Sequence, residues 1–344
     1  GEVGGGVGPA IVGSLILMAV SSLIGIPIGV GAGIYLSEYG QGRFASAIRF
    51  SSDLIAGMPS IVIGVFVWAW LVRTVVGNFS GLAGAALLGV SVLWIILAYV
   101  FIRGVAALDL AFFTQRPLPY GEVGGGVGPA IVGSLILMAV SSLIGVPIGV
   151  GAGIYLSEYG RGRFASGIRF SSDLIAGMPS IVIGVFVWAW LVRTVVGNFS
   201  GLAGAVALAV IMVPIILRTV EEVLRLVPHT LREAALALGV PRWRMIMGVV
   251  LPAARAGIIT GVVLSVARAA GETAPLLLTA LGNQFFSFNL FQPMAALPVQ
   301  IYNYAVAPYE DWHTKAWGGA LVLISLIGAL SVITRWVTRG RGLG

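Results

Sequence analysis

The sequence predicts an all-α polytopic membrane protein, and three observations carry that prediction. Hydrophobic residues fill 58% of the 344 positions, charged residues only 10%, and the mean hydropathy is +1.02. A soluble domain of this length carries far more charge. Several apolar runs reach the roughly 20 helical residues that cross a hydrocarbon core about 30 Å thick. In lipid the backbone must satisfy its own polar groups, which makes such runs helices. The net charge of +7 comes from 19 Arg and one Lys against 13 acids. In a membrane chain that excess belongs to cytoplasmic loops, not to a nucleic-acid surface. The absence of cysteine excludes a disulfide framework and a Cys metal site. Two distant histidines, His229 and His313, give metal chemistry little to work with.

The chain repeats itself. Residues 1–85 and 121–205 are identical except at three positions: Ile26 against Val146, Gln41 against Arg161, and Ala47 against Gly167. The inverted repeats of transporters are weak in sequence, so a match this close reads as an artefact or a recent rearrangement. Residues 86–344 are therefore taken as the functional unit, a six-span domain preceded by a duplicated two-span fragment. If both spans of the first copy inserted as their twins do, everything downstream would be inverted.

The six expected spans follow in order. The first covers 86–102 and stops at Arg103. The second, 129–156, carries several glycines and Pro147, which points to a kink or a close helix contact. The third covers 179–192, flanked by Trp188, Trp190 and Arg193. The fourth, 202–217, ends at Arg218. The fifth covers 257–281 and the sixth 317–337. Arginines fix the topology. Arg161, Arg163 and Arg169 follow span two; Arg225, Arg232, Arg242, Arg244 and Arg255 follow span four; Arg335, Arg339 and Arg341 close the chain. All three groups lie on one side when six spans are counted, and that side is the cytoplasm. Both ends of 86–344 are then cytoplasmic, and the chain crosses its membrane several times.

Between spans four and five lies a charged stretch, about 221–252, with apolar residues at helical spacing: Val223, Leu224, Leu226, Val227, Leu231, Ala234, Ala235 and Leu238. Gly239 and Pro241 supply a helix stop, and a second short helix fits 242–250 before Pro252. Glu233-Ala234-Ala235, then Gly239, then Leu251-Pro252, resembles the EAA loop of ABC importer permeases. The resemblance implies a type I permease fold and a lever that docks in a cleft of a separate ATPase. Glu233, Ala234, Ala235, Gly239, Leu251 and Pro252 fall on the motif, with Arg232, Arg242 and Arg244 as supporting contacts. A plainer reading rests these basic helices on anionic lipid. No G-x-x-x-x-G-K-[ST] occurs in the chain, so ATP belongs to the partner and no cofactor is assigned here. The glycine-rich run Gly121–Gly128 lacks a preceding strand and reads as a flexible entry to span two.

Span five holds Arg268 and Glu272, whose i, i+4 spacing puts them on one face where they can pair. A charge at the bilayer centre costs about 2.5 to 3.5 kcal/mol on insertion scales, so such residues face a bundle interior or a water-filled path. One reading is a neutralised structural pair. The other is a substrate path, with the arginine fork suited to an oxyanion and Glu272 accepting a hydrogen bond from the proton that hydrogen phosphate carries and sulfate lacks. The segments 267–276, 177–184, 218–228 and 297–302, which include Ala267-Arg-Ala-Ala-Gly-Glu-Thr-Ala-Pro-Leu276 and Gly177-Met-Pro-Ser-Ile-Val-Ile-Gly184, resemble the PstA-type permeases of bacterial phosphate importers. The resemblance covers essentially all of 86–344. It implies a PstC-type permease partner, a PstB-type ATPase dimer and a phosphate-binding protein outside. It also puts Arg268 and Glu272 on the substrate path, with Arg218 a further candidate. Alternatives are a permease for another oxyanion, such as sulfate or molybdate, and a membrane enzyme using Arg268, Glu272 and His229. Aromatic residues of the outer loop, Phe285, Phe286, Phe288, Phe291, Tyr302, Tyr304, Trp312 and Trp317, suit either a docking surface for the delivery protein or an interfacial belt.

Overall fold

A computed structural model describes residues 8–38, 95–119, 122 and 124–339. The chain divides into two compact units, residues 1–52 with 67–98 and residues 53–66 with 99–344. In the first unit the principal described element is α1, Gly8–Glu38, an apolar helix of 31 residues. The rest of the first copy, including its second expected span, lies outside the described residues.

The remaining elements are α2 (Ile95–Val105), α3 (Leu110–Thr114), α4 (Gly128–Glu158), α5 (Arg163–Gly177), α6 (Ser180–Val196), α7 (Gly201–Arg225), α8 (His229–Ala237), α9 (Arg242–Ala270), α10 (Ala274–Thr279), α11 (Leu297–Val306) and α12 (Glu310–Arg339). The described residues are mostly helical, with a single β-bridge between Leu281 and Met294. Of the second unit's helices, α4, α7, α9 and α12 are each long and apolar enough to cross a membrane. The pair α5 and α6 together has the length and apolar composition of a further span but is bent by 105°, and α2 is a shorter apolar helix.

The expected order of spans stands, while several boundaries move. The first expected span is described only from Ile95 and continues past Arg103, whose guanidinium lies over Tyr99 within the same helix, 5.5 Å from the ring centroid. Span three runs to Val196, its last turns wound wider than an α-helix. Span five begins at Arg242 rather than 257. Pro252 does not stop it, because the wide turn Ile246–Val250 precedes the proline and the backbone stays right-handed through Leu251. The separate helix expected over 242–250 is thus the first part of α9. Span five also ends early, at Ala270, because Gly271 and Pro275 interrupt the helical ladder.

The second unit's core is built on α4 against α7, with α9 packed on α7 and also touching α4. Glycines on α4 make the first contact possible. A Cβ on Gly149 would lie 2.7 Å from Ile216 Cβ, and one on Gly153 2.7 Å from Val220 Cβ. With Gly145 facing Ala209 and Met212, these form a G-x-x-x-G-x-x-x-G stripe that lets two helices approach closely where no hydrophobic drive separates them from lipid. The close contact expected for span two is therefore present. Gly257 and Gly261 on α9 play the same part against Val223 and Thr219 of α7.

Residues 125–128 of the glycine-rich run before α4 are held by hydrogen bonds. Amides of Gly126, Val127 and Gly128 donate to the carbonyls of Arg116, Phe112 and Gln115 at 2.8–3.1 Å, and Gly125 N–H donates to Gln115 Oε1. These four donors are engaged within the chain. The sole lysine, Lys315, reaches across to the Gly124 carbonyl at 2.7 Å.

Candidate coupling surface and substrate path

The charged stretch folds back onto the ends of α4 and α7. Beyond Arg225 the chain turns at Leu226–Pro228, forms α8, and reverses at Gly239, whose φ of +74° favours glycine. Ala235 is buried against the core, while Glu233, Ala234 and Gly239 are exposed. The face they share also exposes Leu231, Leu236 and Leu238, the last at 84%. Across the turn, Trp243 and Met247 are exposed as well. Leu251 is half-buried and Pro252 exposed.

Two arginines expected to support docking serve the chain itself. Arg232 donates to Glu158 Oε1 and the Leu224 carbonyl at 2.8 Å each, and to the Val227 carbonyl at 2.5 Å. It therefore ties α8 to the ends of both α4 and α7. Arg242 donates to the Glu158 carbonyl and stacks on Tyr159 at 4.8 Å. Arg244, by contrast, lies over Trp243 at 5.1 Å on the exposed side.

A second knot adjoins the first. Glu221, 3% exposed, accepts from Arg169 Nε at 2.9 Å and from Arg225 at 2.5 Å. Arg169 also donates to the carbonyls of Leu156 and Gly160. Sequence reasoning missed Glu158 and Glu221 as anchors. Their signal was present: an acid near a helix C-terminus opposes the macrodipole and needs a cation beside it.

The proposed path residues are arranged differently from expectation. Arg268 occupies the last turn of α9 and is exposed, whereas Glu272 is half-buried beyond the helix end. Gly271 N–H bonds the Arg268 carbonyl and Glu272 N–H the Ala269 carbonyl, a tightened end that takes Glu272 off the i, i+4 register. No ion pair between them forms among the described residues. Arg218 is paired with Asp173 of α5. From the α7–α9 register, in which Thr219 faces Gly261, Arg218 lies roughly 10 Å along the axis from Arg268.

On the opposite side, Phe285, Phe286, Phe288 and Phe291 are exposed, but Tyr304 is not. It is 2% exposed, stacks on Trp312 at 5.2 Å, and burial pushes its hydroxyl up to about 12. Asn283, Gln284, Gln300 and Asn303 line the adjoining cleft of about 630 Å³.

A helical membrane core with a glycine-turned, partly exposed loop between α7 and α9 is the architecture of an ABC importer permease. Residues 145–341 match the family model described as "Binding-protein-dependent transport system inner membrane component", and the chain belongs to that family. Its fold is similar to the MetNI methionine ABC transporter in an inward-facing conformation, with a TM-score of 0.52 at 20% identity, covering 62% of this chain and 95% of that one. Among curated relatives, the phosphate transport system permease protein PstA of Haemophilus influenzae is 47% identical over 243 residues, 70% of this chain and 85% of that protein. The PstA of Yersinia pestis is 45% identical over 244 residues, covering 71% and 82%. That of Mycobacterium leprae is 39% identical over 247 residues, covering 71% and 81%. Within the family the chain is of the PstA type. It is a multi-pass inner-membrane transport subunit rather than an enzyme, and the ATPase of such systems is a separate component.

Proposed function

We propose that residues 86–344 form one half of an ATP-driven importer of inorganic phosphate, the other half being a PstC-type permease. The observation that carries this reading is an arginine, Arg268, at the end of a membrane helix with no partner in its own chain among the described residues. A charge on a membrane span usually faces a bundle interior or a water-filled path. Its fork donates to a phosphate oxyanion, and Glu272, freed from pairing with it, accepts a hydrogen bond from the O–H of hydrogen phosphate and repels sulfate. Arg218 lies further along the same route toward the cytoplasm.

On the cytoplasmic side, Glu233, Ala234 and Gly239 with the exposed leucines of α8 present the surface for a PstB-type ATPase dimer. Leu251 and Pro252 set the start of the membrane part of α9. Because Arg232 fixes α8 to α4 and α7 together, force applied to α8 reaches both spans. A phosphate-binding protein docks outside, on the exposed phenylalanines 285–291. Both ends of the functional unit are cytoplasmic, and residues 1–85 are dispensable.

Radiolabelled phosphate uptake tests this in a bacterium that lacks its own PstA-type subunit but keeps the other components. Residues 86–344 with an added start Met restore uptake. Arg268→Ala lowers it about 10- to 100-fold at equal membrane level, the range for one charge-assisted contact. Glu272→Gln narrows the preference for phosphate over sulfate. Competition by sulfate or molybdate in the unaltered protein would instead point to another oxyanion.

A further inference from the structure

A cleft of about 650 Å³ lies under α5, and Ser172 and Leu217 in its lining are the chain neighbours of the Asp173–Arg218 pair. Its walls are apolar: Ile148 and Ala152 of α4, Ile168 and Ile175 of α5, and Val213 and Leu217 of α7. Its lip is not. Arg163, Ser171 and Ser172 line it, and Arg161 precedes it in the chain. We propose that this cleft binds an anionic phospholipid of the cytoplasmic leaflet, with the headgroup on Arg163 and an acyl chain between α4, α5 and α7.

Four observations support the assignment. First, α5 is bent 105° from the apolar helix α6, so when α6 crosses the bilayer α5 lies along its surface. Its outer face carries Phe170 and Leu174, exposed at 66% and 52%, as an interfacial helix does. Second, Arg163 makes no ion pair or hydrogen bond among the described residues, and the nearby carboxylates are engaged: Asp173 by Arg218, Glu221 by Arg169 and Arg225. The lip is therefore left positive. Third, Ser172 Oγ is buried with no hydrogen-bond partner, and buried hydroxyls are rarely left so. Fourth, a Cβ added at Gly167 would meet nothing within 4 Å, so the cleft is open there. Two of the three differences between the copies fall at this place. Arg161 adds a charge where the first copy has Gln41, and Gly167 removes a methyl where it has Ala47. The volume lies within the about 300 to 1,000 Å³ of ordinary small-molecule sites.

The proposal rests on the cytoplasmic placement of α5 argued above. The test uses the assembled transporter in phosphatidylcholine vesicles doped with a phosphatidylglycerol that carries a diazirine in its acyl chain. Adducts are mapped by mass spectrometry after irradiation. Labelling is expected on 148–152 and 168–175. Arg163→Gln reduces it about fivefold, the equivalent of about 1 kcal/mol per basic residue at an anionic surface. Gly167→Phe, which fills open space, abolishes it. Equal labelling by a phosphatidylcholine probe, indifference to both variants, or no labelling with crosslinks from α5 to the second permease would each overturn the site. Thiol labelling of Ser166→Cys from either side, in a chain with no other cysteine, reports the orientation separately. External access would reject the orientation while leaving lipid binding to be judged by its own adducts.

Discussion

Helices α1 and α4 have the same sequence but for Ile26 and Val146, and they behave differently. Both run 31 residues, which their apolar composition dictates locally. In α4 the glycines at 145, 149 and 153 meet α7. Their twins in α1, Gly25, Gly29 and Gly33, meet no atom within 4 Å among the described residues. The repeat itself explains this. It ends at Ala85 and Ala205, before Met212, Ile216 and Val220, the residues that fill the glycine stripe. The repeat carries the glycine stripe without the residues that fill it, so the same sequence makes a helix twice and, among the described residues, a packed stripe once.

The sharpest way to break the comparison is Gly149→Leu against Gly29→Leu. The first forces a side chain into Ile216 and separates α4 from α7, for an overpacking cost of about 3 kcal/mol or more. Uptake and the thermal stability of the purified complex both fall. Gly29→Leu leaves both unchanged. A smaller effect is expected from Glu158→Gln, which weakens the bonds that seat α8 through Arg232. Both side chains are largely buried, and a loss of about 1 to 2 kcal/mol follows. The same change at Glu38 is silent, because the repeat stops short of any counterpart to Arg232.

Much of this was legible in the sequence, for reasons that differ by residue. Apolar length announced the spans, and the arginines ordered them. Gly239 was readable as a reversal because few residues tolerate its φ. The pairing of Arg268 with Glu272 was misread, since helical spacing assumes a helix that persists, and Gly271 with Pro275 ends it. Pro252 erred the other way, being absorbed by a widened turn that no local pattern announces. Arg232 and Arg242 looked available as basic loop residues. Their partners are carbonyls at the ends of α4 and α7, and side-chain-to-carbonyl contacts between distant segments leave no trace in spacing. The 105° bend before α6 was likewise hidden, although the polar face of 163–177 beside the fully apolar 180–187 marked a change of environment.

The smallest effects come from exchanging the copies' own differences. Val146 is partly buried and packs on the core, so Val146→Ile adds a methylene to a filled space and costs about 0.5 to 1 kcal/mol. Ile26→Val, on a helix face with nothing against it, changes nothing measurable. Gly167→Ala has the opposite sign. The position is helical with open space around it, so alanine gains about 0.5 to 1 kcal/mol from the lost backbone entropy of glycine. Denaturation of the purified complex carrying each change reads both signs. A stabilised Gly167→Ala protein with normal uptake would mean that the glycine is drift between copies. Gained stability with reduced phosphatidylglycerol labelling would mean that the missing methyl keeps the cleft open, and that the second copy has diverged toward a partner the first has not been shown to meet.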